Sequence, residues 1–164
     1  MVWIDGLPSA GKSTLGARLA SRLRQEGRPV LWLDGDQVRG ALEPAPGFDS
    51  AGRQAFYLTL ARLAALAAAQ GLVAVVSATS SRRSHRDAAR RQWPGLVEVF
   101  VDVPLVECER RDPKGLYARA RRGDLAGLPG AGERFEPPEA PDVRARGGED
   151  ADAVEEVLAR LRGG

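Results

Sequence analysis

The fold of this chain is decided by the stretch Gly6-Leu7-Pro8-Ser9-Ala10-Gly11-Lys12-Ser13-Thr14, which fits the phosphate-binding pattern G-x-x-x-x-G-K-[ST]. The two glycines allow a tight loop whose backbone N–H groups turn inward onto an anion. Lys12 can reach the β- and γ-phosphates of a nucleotide, and Ser13 offers a hydroxyl to Mg²⁺. The stretch therefore predicts a polyphosphate site.

Both flanks of the loop have the pattern that the motif requires. Val2 to Ile4 is a short apolar run typical of a buried strand, and leucines recur at helical spacing after the loop, at Leu15, Leu19 and Leu23. A helix here would point its positive end at the same phosphates. A chance match in a glycine-rich turn is the alternative, and the strand–loop–helix context disfavours it.

The composition favours one domain, which we take as residues 1–164. The chain has 164 residues, 43% of them hydrophobic, and a formal net charge of +2. No apolar run approaches the ~20 residues of a membrane span, and no secretory signal precedes the first predicted strand. The single Cys108 fits a reducing cytosol. Basic residues are interleaved with acidic ones, which favours a solvated surface over nucleic-acid binding.

A pair of carboxylates follows the second predicted strand, Val30 to Leu33. Asp34 and Asp36 would lie at the carboxyl end of that strand, where open α/β sheets bind ligands. One carboxylate can hold Mg²⁺ and the other can accept a proton from a substrate hydroxyl. A solvated Asp-Gly turn is the alternative, and the preceding phosphate loop favours function.

The remaining pattern alternates strands and helices, which predicts an α/β fold with a mostly parallel central sheet and helices on both faces. Leu72 to Val76 is apolar throughout, as expected of a central strand. The other predicted elements are a strand over Leu96 to Val101 and helices over Gln37 to Leu42, Ser50 to Gln70, Ala118 to Arg122 and Ala151 to Arg162, with two short helices ending before Trp93 and starting at Pro104.

Hydroxyls and arginines follow the central strand, at Ser77 to Ser81 and at Arg82, Arg83 and Arg86. Such residues suit phosphate or sulfate contacts, but for each arginine an exposed basic helix face is the preferred interpretation. His85, the only histidine, is expected to be solvent-exposed. Cys108 is expected to be a packed side chain rather than a nucleophile.

The segment from Gly123 to Pro141 is rich in glycine and proline and lacks periodicity. Such a segment in a compact domain is a functional lid or a disordered loop, and lids that exclude water are expected in phosphoryl transfer. We place the lid at approximately residues 114–141.

Several motifs, taken in order, resemble the adenylylsulfate kinases. They are Gly6 to Thr14, Leu33-Asp34-Gly35-Asp36-Gln37-Val38-Arg39, Gly47-Phe48, Gly71-Leu72-Val73 and Asp112-Pro113-Lys114-Gly115-Leu116-Tyr117. The resemblance spans roughly residues 2–141. It implies a P-loop kinase fold and Mg²⁺-dependent transfer of the γ-phosphoryl group of ATP to the 3′-hydroxyl of adenosine 5′-phosphosulfate. Members are often dimers, so it also allows a homodimer.

The resemblance assigns roles residue by residue. It implies that Gly6 to Thr14 and Arg111 bind ATP, with Ser13 and Asp34 at the metal and Lys12 and Asp36 in catalysis. Ser80 matches a serine for which a phosphoserine has been proposed, although in-line transfer needs no covalent intermediate. The implied acceptor-binding residues are Asp34, Arg39, Phe48, Arg53, Lys114 and Leu116, with Phe48 stacked on adenine.

Departures from the family pattern are confined to the acceptor half. Gly52 and Phe56 replace an acid and an asparagine around Arg53, and Leu128 replaces an aromatic residue of the lid. Ala78-Thr79-Ser80-Ser81 stands in place of the family's F-I-S-P. The family's R-H-G-L is Arg39-Gly40-Ala41-Leu42 here, so its usual histidine is replaced. A second hypothesis is therefore a kinase for another small hydroxyl compound, such as a nucleoside or a secondary metabolite. A third, a non-catalytic nucleotide-binding module, is disfavoured by Lys12, Ser13, Asp34 and Asp36.

Overall fold

The computed structural model describes residues 1–163 and contains one five-stranded sheet flanked by helices. The strands of this sheet are β1 (Val2–Asp5), β2 (Val30–Asp34), β3 (Val73–Ser77), β4 (Val97–Val101) and β7 (Val143–Ala145). Their spatial order is β2-β3-β1-β4-β7, and every neighbouring pair is parallel. The predicted α/β class with a parallel sheet is confirmed.

Seven helices connect and cover the strands in the described part of the chain. They are α1 (Lys12–Gln25), α2 (Gly35–Ala41), α3 (Ser50–Ala69), α4 (Arg83–Gln92), α5 (Leu105–Arg111), α6 (Leu116–Arg121) and α7 (Ala151–Gly163). One buried cluster contains Leu15, Leu19 and Leu23 of α1 with Leu158 of α7. A second contains Leu60 and other α3 residues on the opposite face, so both faces of the sheet are covered, as parallel strands require.

Two features of the fold lie outside the predicted elements. The strand β7 has only three residues, too few for a periodicity to be visible, and it pairs with β4 from Val99↔Val143 to Val101↔Ala145. The predicted lid contains a small pair of two-residue strands, β5 (Leu128–Pro129) and β6 (Gly132–Glu133). Phe135 also stacks on Phe100 at a centroid distance of 6.1 Å, so the segment packs onto the sheet.

Parallel topology places the carboxyl ends of all five strands at one edge. β1 ends at Asp5 directly before the glycine loop, β2 ends at Asp34, and β3 leads into residues 78–82. This is the edge where open α/β sheets bind ligands. The polar residues that the sequence singled out therefore converge there.

Among the helices of residues 1–163, none combines the length and the hydropathy of a membrane-spanning segment.

Candidate active site

The glycine loop has the tightly turned backbone of an anion-binding loop. Ser9 (φ 64°) and Gly11 (φ 105°) adopt left-handed conformations, which turn successive amides toward one side. Gly11 caps α1 without a side-chain hydrogen bond to the first turn. The first N–H groups of a helix have no intrahelical acceptor. The loop and the helix start together therefore offer unsatisfied donors and positive potential to an anion.

A second glycine loop, absent from our predictions, closes against this one. A Cβ on Gly11 would lie 2.6 Å from the backbone nitrogen of Gly148, and a Cβ on Gly148 would lie 2.7 Å from Gly11 O. Only glycine allows both backbones to approach this closely. The residues after β7 thereby become part of the site, and a cavity of 390 Å³ opens beside them, lined by Arg111 and residues 146–152. Arg111 is thus brought beside the residues that follow β7.

Lys12 folds back over its own loop. Its Nζ donates a hydrogen bond of 2.7 Å to Leu7 O. Burial lowers the pKa of this ammonium to about 8, although the carboxylates of Asp5 and Asp36 act in the opposite direction. An anion bound in the loop would favour the charged form further. The side chain is therefore positioned to serve a phosphate.

Ser13 and Asp34 meet at the mouth of the loop. Ser13 Oγ donates to Asp34 Oδ2 at 2.5 Å, while Asp34 Oδ1 accepts from the amides of Asp36 (3.1 Å) and Gln37 (3.3 Å) and so caps α2. In residues 1–163 no group of three or more His, Cys, Asp or Glu side chains could hold a metal alone. Mg²⁺ usually takes one or two protein ligands and completes its shell with water and phosphate oxygens. A hydroxyl beside a carboxylate fits that requirement.

Asp36 and Lys114 form an ion pair across the site, with the ammonium donating to Asp36 Oδ2. Asp36 lies in the first turn of α2, and Lys114 lies in the turn between α5 and α6. Their side chains are 74% and 59% exposed, so both remain accessible to a ligand. The two family motifs, far apart in sequence, therefore meet here. Leu116, at the start of α6, instead packs partly buried against the apolar core.

Arg39 and Phe48 are in direct contact. The Arg39 Cζ lies 4.4 Å from the Phe48 ring centroid, and Nη1 donates to the carbonyls of Pro46 (2.6 Å) and Gly47 (3.0 Å). Phe48 is 65% exposed, an unusual exposure for a large apolar ring. An exposed aromatic face beside a cation suits a nucleotide base and its negatively charged substituents.

Arg53 is buried and connects three parts of the site. It donates to Phe48 O (2.7 Å) and to Gly127 O (2.8 Å), and its Nε lies 3.6 Å from a Glu133 carboxylate oxygen. Glu133 also accepts from Ser81 Oγ at 3.1 Å. Neither Glu133 nor its position beside Arg53 was predicted. Glu133, a residue of the lid segment, thus gives Arg53 an acidic neighbour. The family pattern has an acid directly before this arginine, where this chain has Gly52.

Ser80 lies beneath the site rather than in it. Its side chain is fully buried, and Oγ accepts a 2.9 Å hydrogen bond from the Trp3 indole. Its backbone N–H donates to Asp5 Oδ1 at 3.0 Å. The hydroxyl is therefore used by the core, and the structure does not bring it together with Lys12 or Asp36.

Two expectations for the region after β3 are wrong. His85 is buried rather than exposed: it packs against Tyr57 with ring centroids 4.5 Å apart, and burial lowers its pKa to about 4. Arg86 is 5% exposed and pairs with Asp5 (3.3 Å) and Glu98 (3.2 Å) under the sheet edge. Arg82 and Arg83 do lie at the surface, as expected. Cys108 is buried, also as expected.

Comparisons with known proteins agree with this geometry. A family model described as adenylylsulphate kinase matches residues 1–146. An adenylyl-sulfate kinase of Paraburkholderia xenovorans (strain LB400) is 44% identical over 144 residues, covering 87% of this chain and 80% of the relative. One of Synechococcus sp. (strain JA-2-3B'a(2-13)) is 39% identical over 163 residues, covering 98% and 93%.

Solved structures give the same result. The APS kinase CysC of Mycobacterium tuberculosis, solved in complex with AMPPNP and APS, superposes with a TM-score of 0.92 at 36% identity, covering 98% of this chain and 96% of that one. A hexameric APS kinase from Thiobacillus denitrificans superposes with a TM-score of 0.69 at 25% identity, although this chain covers only 28% of it. The resemblance recognised in the sequence is confirmed, and the chain belongs to the adenylylsulphate kinase family.

Proposed function

We propose that this chain transfers the γ-phosphoryl group of ATP to the 3′-hydroxyl of adenosine 5′-phosphosulfate, giving 3′-phosphoadenylylsulfate and ADP. The observation that carries the proposal is the Asp36–Lys114 pair beside the phosphate loop, which joins the D-G-D and D-P-K-G-L-Y motifs in one site. Relatives at about 40% identity that are called adenylyl-sulfate kinases support it, as does the related kinase solved with AMPPNP and APS.

The donor half of the reaction uses the loop and the start of α1. The unsatisfied amides of the phosphate loop and the first turn of α1, together with the Lys12 ammonium, bind the phosphates, and the cavity lined by Arg111 and Arg146 accommodates the base. Ser13 and Asp34 would hold Mg²⁺, which neutralises charge on the phosphoryl oxygens when bound. The pre-formed Ser13–Asp34 contact supports this assignment.

The acceptor half uses residues from α2, α3 and the intervening loop. Phe48 stacks on the adenine, while Arg39, Arg53 and Lys114 face the phosphosulfate and the ribose. The 3′-oxygen attacks the γ-phosphorus in line, its proton passes to the Asp36 carboxylate, and the bond between the γ-phosphorus and the bridging oxygen of ADP breaks. Transfer is direct, and Ser80 takes no covalent part.

A second candidate is phosphorylation of a different small hydroxyl compound, a nucleoside or a secondary metabolite. It is favoured by the acceptor side of the site, where Leu128 is buried and offers no aromatic face and where Phe56 packs on Arg39. A site that lacks the groups which pair with a ligand discriminates less strongly between that ligand and other compounds. The two candidates share their donor half and differ only in the acceptor.

Initial rates with γ-labelled ATP and Mg²⁺ distinguish the candidates. We expect the largest kcat/KM with adenosine 5′-phosphosulfate, and at least ~100-fold less with adenosine 5′-monophosphate, which lacks the sulfate that the arginines face. Adenosine serves as the nucleoside control. Faster turnover of another hydroxyl compound, with none of adenosine 5′-phosphosulfate, would favour the second candidate.

Ser80→Ala is expected to affect stability and leave catalysis almost unchanged. The change leaves the buried Trp3 N–H without its acceptor, which costs about 1–3 kcal/mol, whereas kcat should stay within about 3-fold because the hydroxyl does not reach the reacting atoms. Urea unfolding and initial rates measure both quantities. A kcat loss of about 100-fold at unchanged stability would instead assign this hydroxyl a chemical role.

Three wider assignments accompany the proposed activity. We place the enzyme in the cytosol, since its one cysteine is buried and unpaired. Residues 114–141 would act as a lid over the acceptor, a role supported by the Arg53–Glu133 and Arg53–Gly127 contacts. A homodimer is the proposed assembly, and sedimentation velocity would measure it.

A further inference from the structure

The guanidinium of Arg39 packs against two phenylalanine rings rather than one. Its Cζ lies 3.9 Å from the centroid of Phe56 and 4.4 Å from that of Phe48. The two rings differ in environment: Phe56 is 3% exposed, whereas Phe48 is 65% exposed. The buried Phe56 ring is therefore fixed in the core, and Arg39 lies between it and the exposed Phe48 ring. The position of Phe48 thus depends on Phe56 through Arg39.

Phe56 is held firmly by its surroundings. It belongs to the apolar cluster between α3 and the sheet, and its ring lies 5.6 Å from that of Tyr57. A cation above such a ring is attracted by the negative face of the aromatic system, more strongly where water is excluded. Phe56 thereby sets the position of the Arg39 guanidinium from the core side.

Arg39 transmits that position to the loop that precedes α3. Both of its hydrogen bonds come from Nη1 and end on the carbonyls of Pro46 and Gly47, directly before Phe48. In residues 1–163 this guanidinium has no carboxylate partner within ion-pair distance, so its charge and its remaining donors are available to an anionic ligand. One contact with Phe56 thus orders both the cation and the aromatic face of the acceptor site.

We propose that Phe56 is a positioning residue for the acceptor nucleotide, which acts by holding Arg39, and through it the 46–48 loop and the Phe48 ring, in the binding arrangement before the acceptor arrives. The proposal rests on the proposed function. Its physical basis is preorganisation: a loop that is already ordered loses less entropy on binding, so the acceptor binds more tightly. Binding of ATP, which the proposed function assigns to the phosphate loop and the cavity beside Arg111, should be unaffected.

Fluorination of the ring tests the proposal without removing the core side chain. Phe56→3,4,5-trifluorophenylalanine keeps the shape of the ring and weakens its negative face, and we expect the KM for adenosine 5′-phosphosulfate to rise about 3- to 10-fold. The KM for ATP should stay within about 2-fold, and kcat should change little, since a positioning effect removes binding rather than chemistry. Mono- and difluorinated rings should give intermediate values.

The matched control is the same fluorination at Phe100. That ring also lies near an arginine, with Arg144 Cζ 5.6 Å from its centroid, but it sits at β4 and away from Arg39. Its ring stacks on Phe135 of the lid segment rather than on Arg39, so we expect no change in the KM for ATP and a smaller rise in the acceptor KM than with fluorination at Phe56.

Hydrogen exchange of the Gly52 and Arg53 amides, which donate to Asp49 directly after the loop, adds a readout in the free protein. It should become faster with fluorination at Phe56 only.

The outcomes separate the inference from the proposed function. An unchanged acceptor KM and unchanged exchange in the trifluorinated protein would overturn the role of Phe56 while leaving the kinase assignment intact. If the unmodified enzyme fails to turn over adenosine 5′-phosphosulfate, the proposed function fails. In that case faster exchange of the Gly52 and Arg53 amides would still support the positioning of the loop by Phe56, and unchanged exchange would overturn it.

Discussion

Asp36→Asn is expected to lower kcat with adenosine 5′-phosphosulfate by about 10²- to 10⁴-fold, the usual contribution of a general base. Asparagine keeps the shape of the side chain but cannot take the proton of the attacking hydroxyl. Binding of ATP should persist, because the phosphate loop and the Ser13–Asp34 contact do not depend on Asp36 side-chain charge. The free energy of unfolding should change by less than about 1 kcal/mol, since Asp36 and Lys114 are both largely exposed.

Single-turnover rates and calorimetric titration with a non-hydrolysable ATP analogue measure these effects separately. Asp49→Asn is the matched control, because it makes the same chemical change in the same half of the site. Asp49 caps α3 by accepting from the Gly52 N–H at 2.7 Å, and asparagine caps helices about as well. Its kcat should remain close to that of the unmodified enzyme. If Asp36→Asn retained kcat within about 3-fold, Asp36 would not be the base.

The sequence predicted the position of the phosphate loop and of the two carboxylates beside it because their determinants are local. The glycines and Lys12 must occur at fixed spacing for the loop to form, and the short apolar runs within Val2–Asp5 and Val73–Ser77 are typical of buried strands. Parallel strands then bring their carboxyl ends to one edge whatever the intervening sequence. This is why Asp34 and Asp36 could be placed beside the phosphate loop before the structure was known.

The features that sequence reasoning missed depend on distant partners. Gly148 matters because it touches Gly11, and Glu133 because it faces Arg53; neither contact leaves a pattern in the local sequence. The departure at Phe56 was visible as an unusual residue, but only the structure shows that its ring supports Arg39. Each of these contacts joins residues that come together only in the folded chain, so a local sequence pattern cannot predict it.

The start of α4 is the clearest failure of local reasoning. Its run of arginines with His85 is typical of a solvated helix face, yet His85 and Arg86 point inward. The reason is Asp5, a carboxylate at the buried end of β1 that requires a cation. Arg86, 81 residues away in sequence, supplies it.

Arg86→Gln is expected to lower the free energy of unfolding by about 3–5 kcal/mol at pH 7, because it leaves the buried carboxylates of Asp5 and Glu98 without this partner. Arg90→Gln is the matched control: Arg90 also bonds Glu98, at 2.9 Å, but its side chain is 39% exposed. Partly exposed pairs contribute at most about 1 kcal/mol. Urea unfolding of both variants gives the comparison, and equal losses would contradict the assigned burial.

The same variant should show a pH dependence that identifies Asp5. Burial raises the pKa of Asp5 to about 6, and the charge of Arg86 acts in the opposite direction. A carboxyl with a raised pKa binds its proton more tightly in the folded chain, so its contribution to stability falls as the pH rises from about 4 to the folded-state value. Without Arg86 the folded-state pKa of Asp5 is higher, so the contribution of Asp5 to the free energy of unfolding continues to fall above pH 6. The deficit of Arg86→Gln should therefore be larger at pH 8 than at pH 6, whereas a deficit independent of pH would mean that Asp5 is not the group left unpaired.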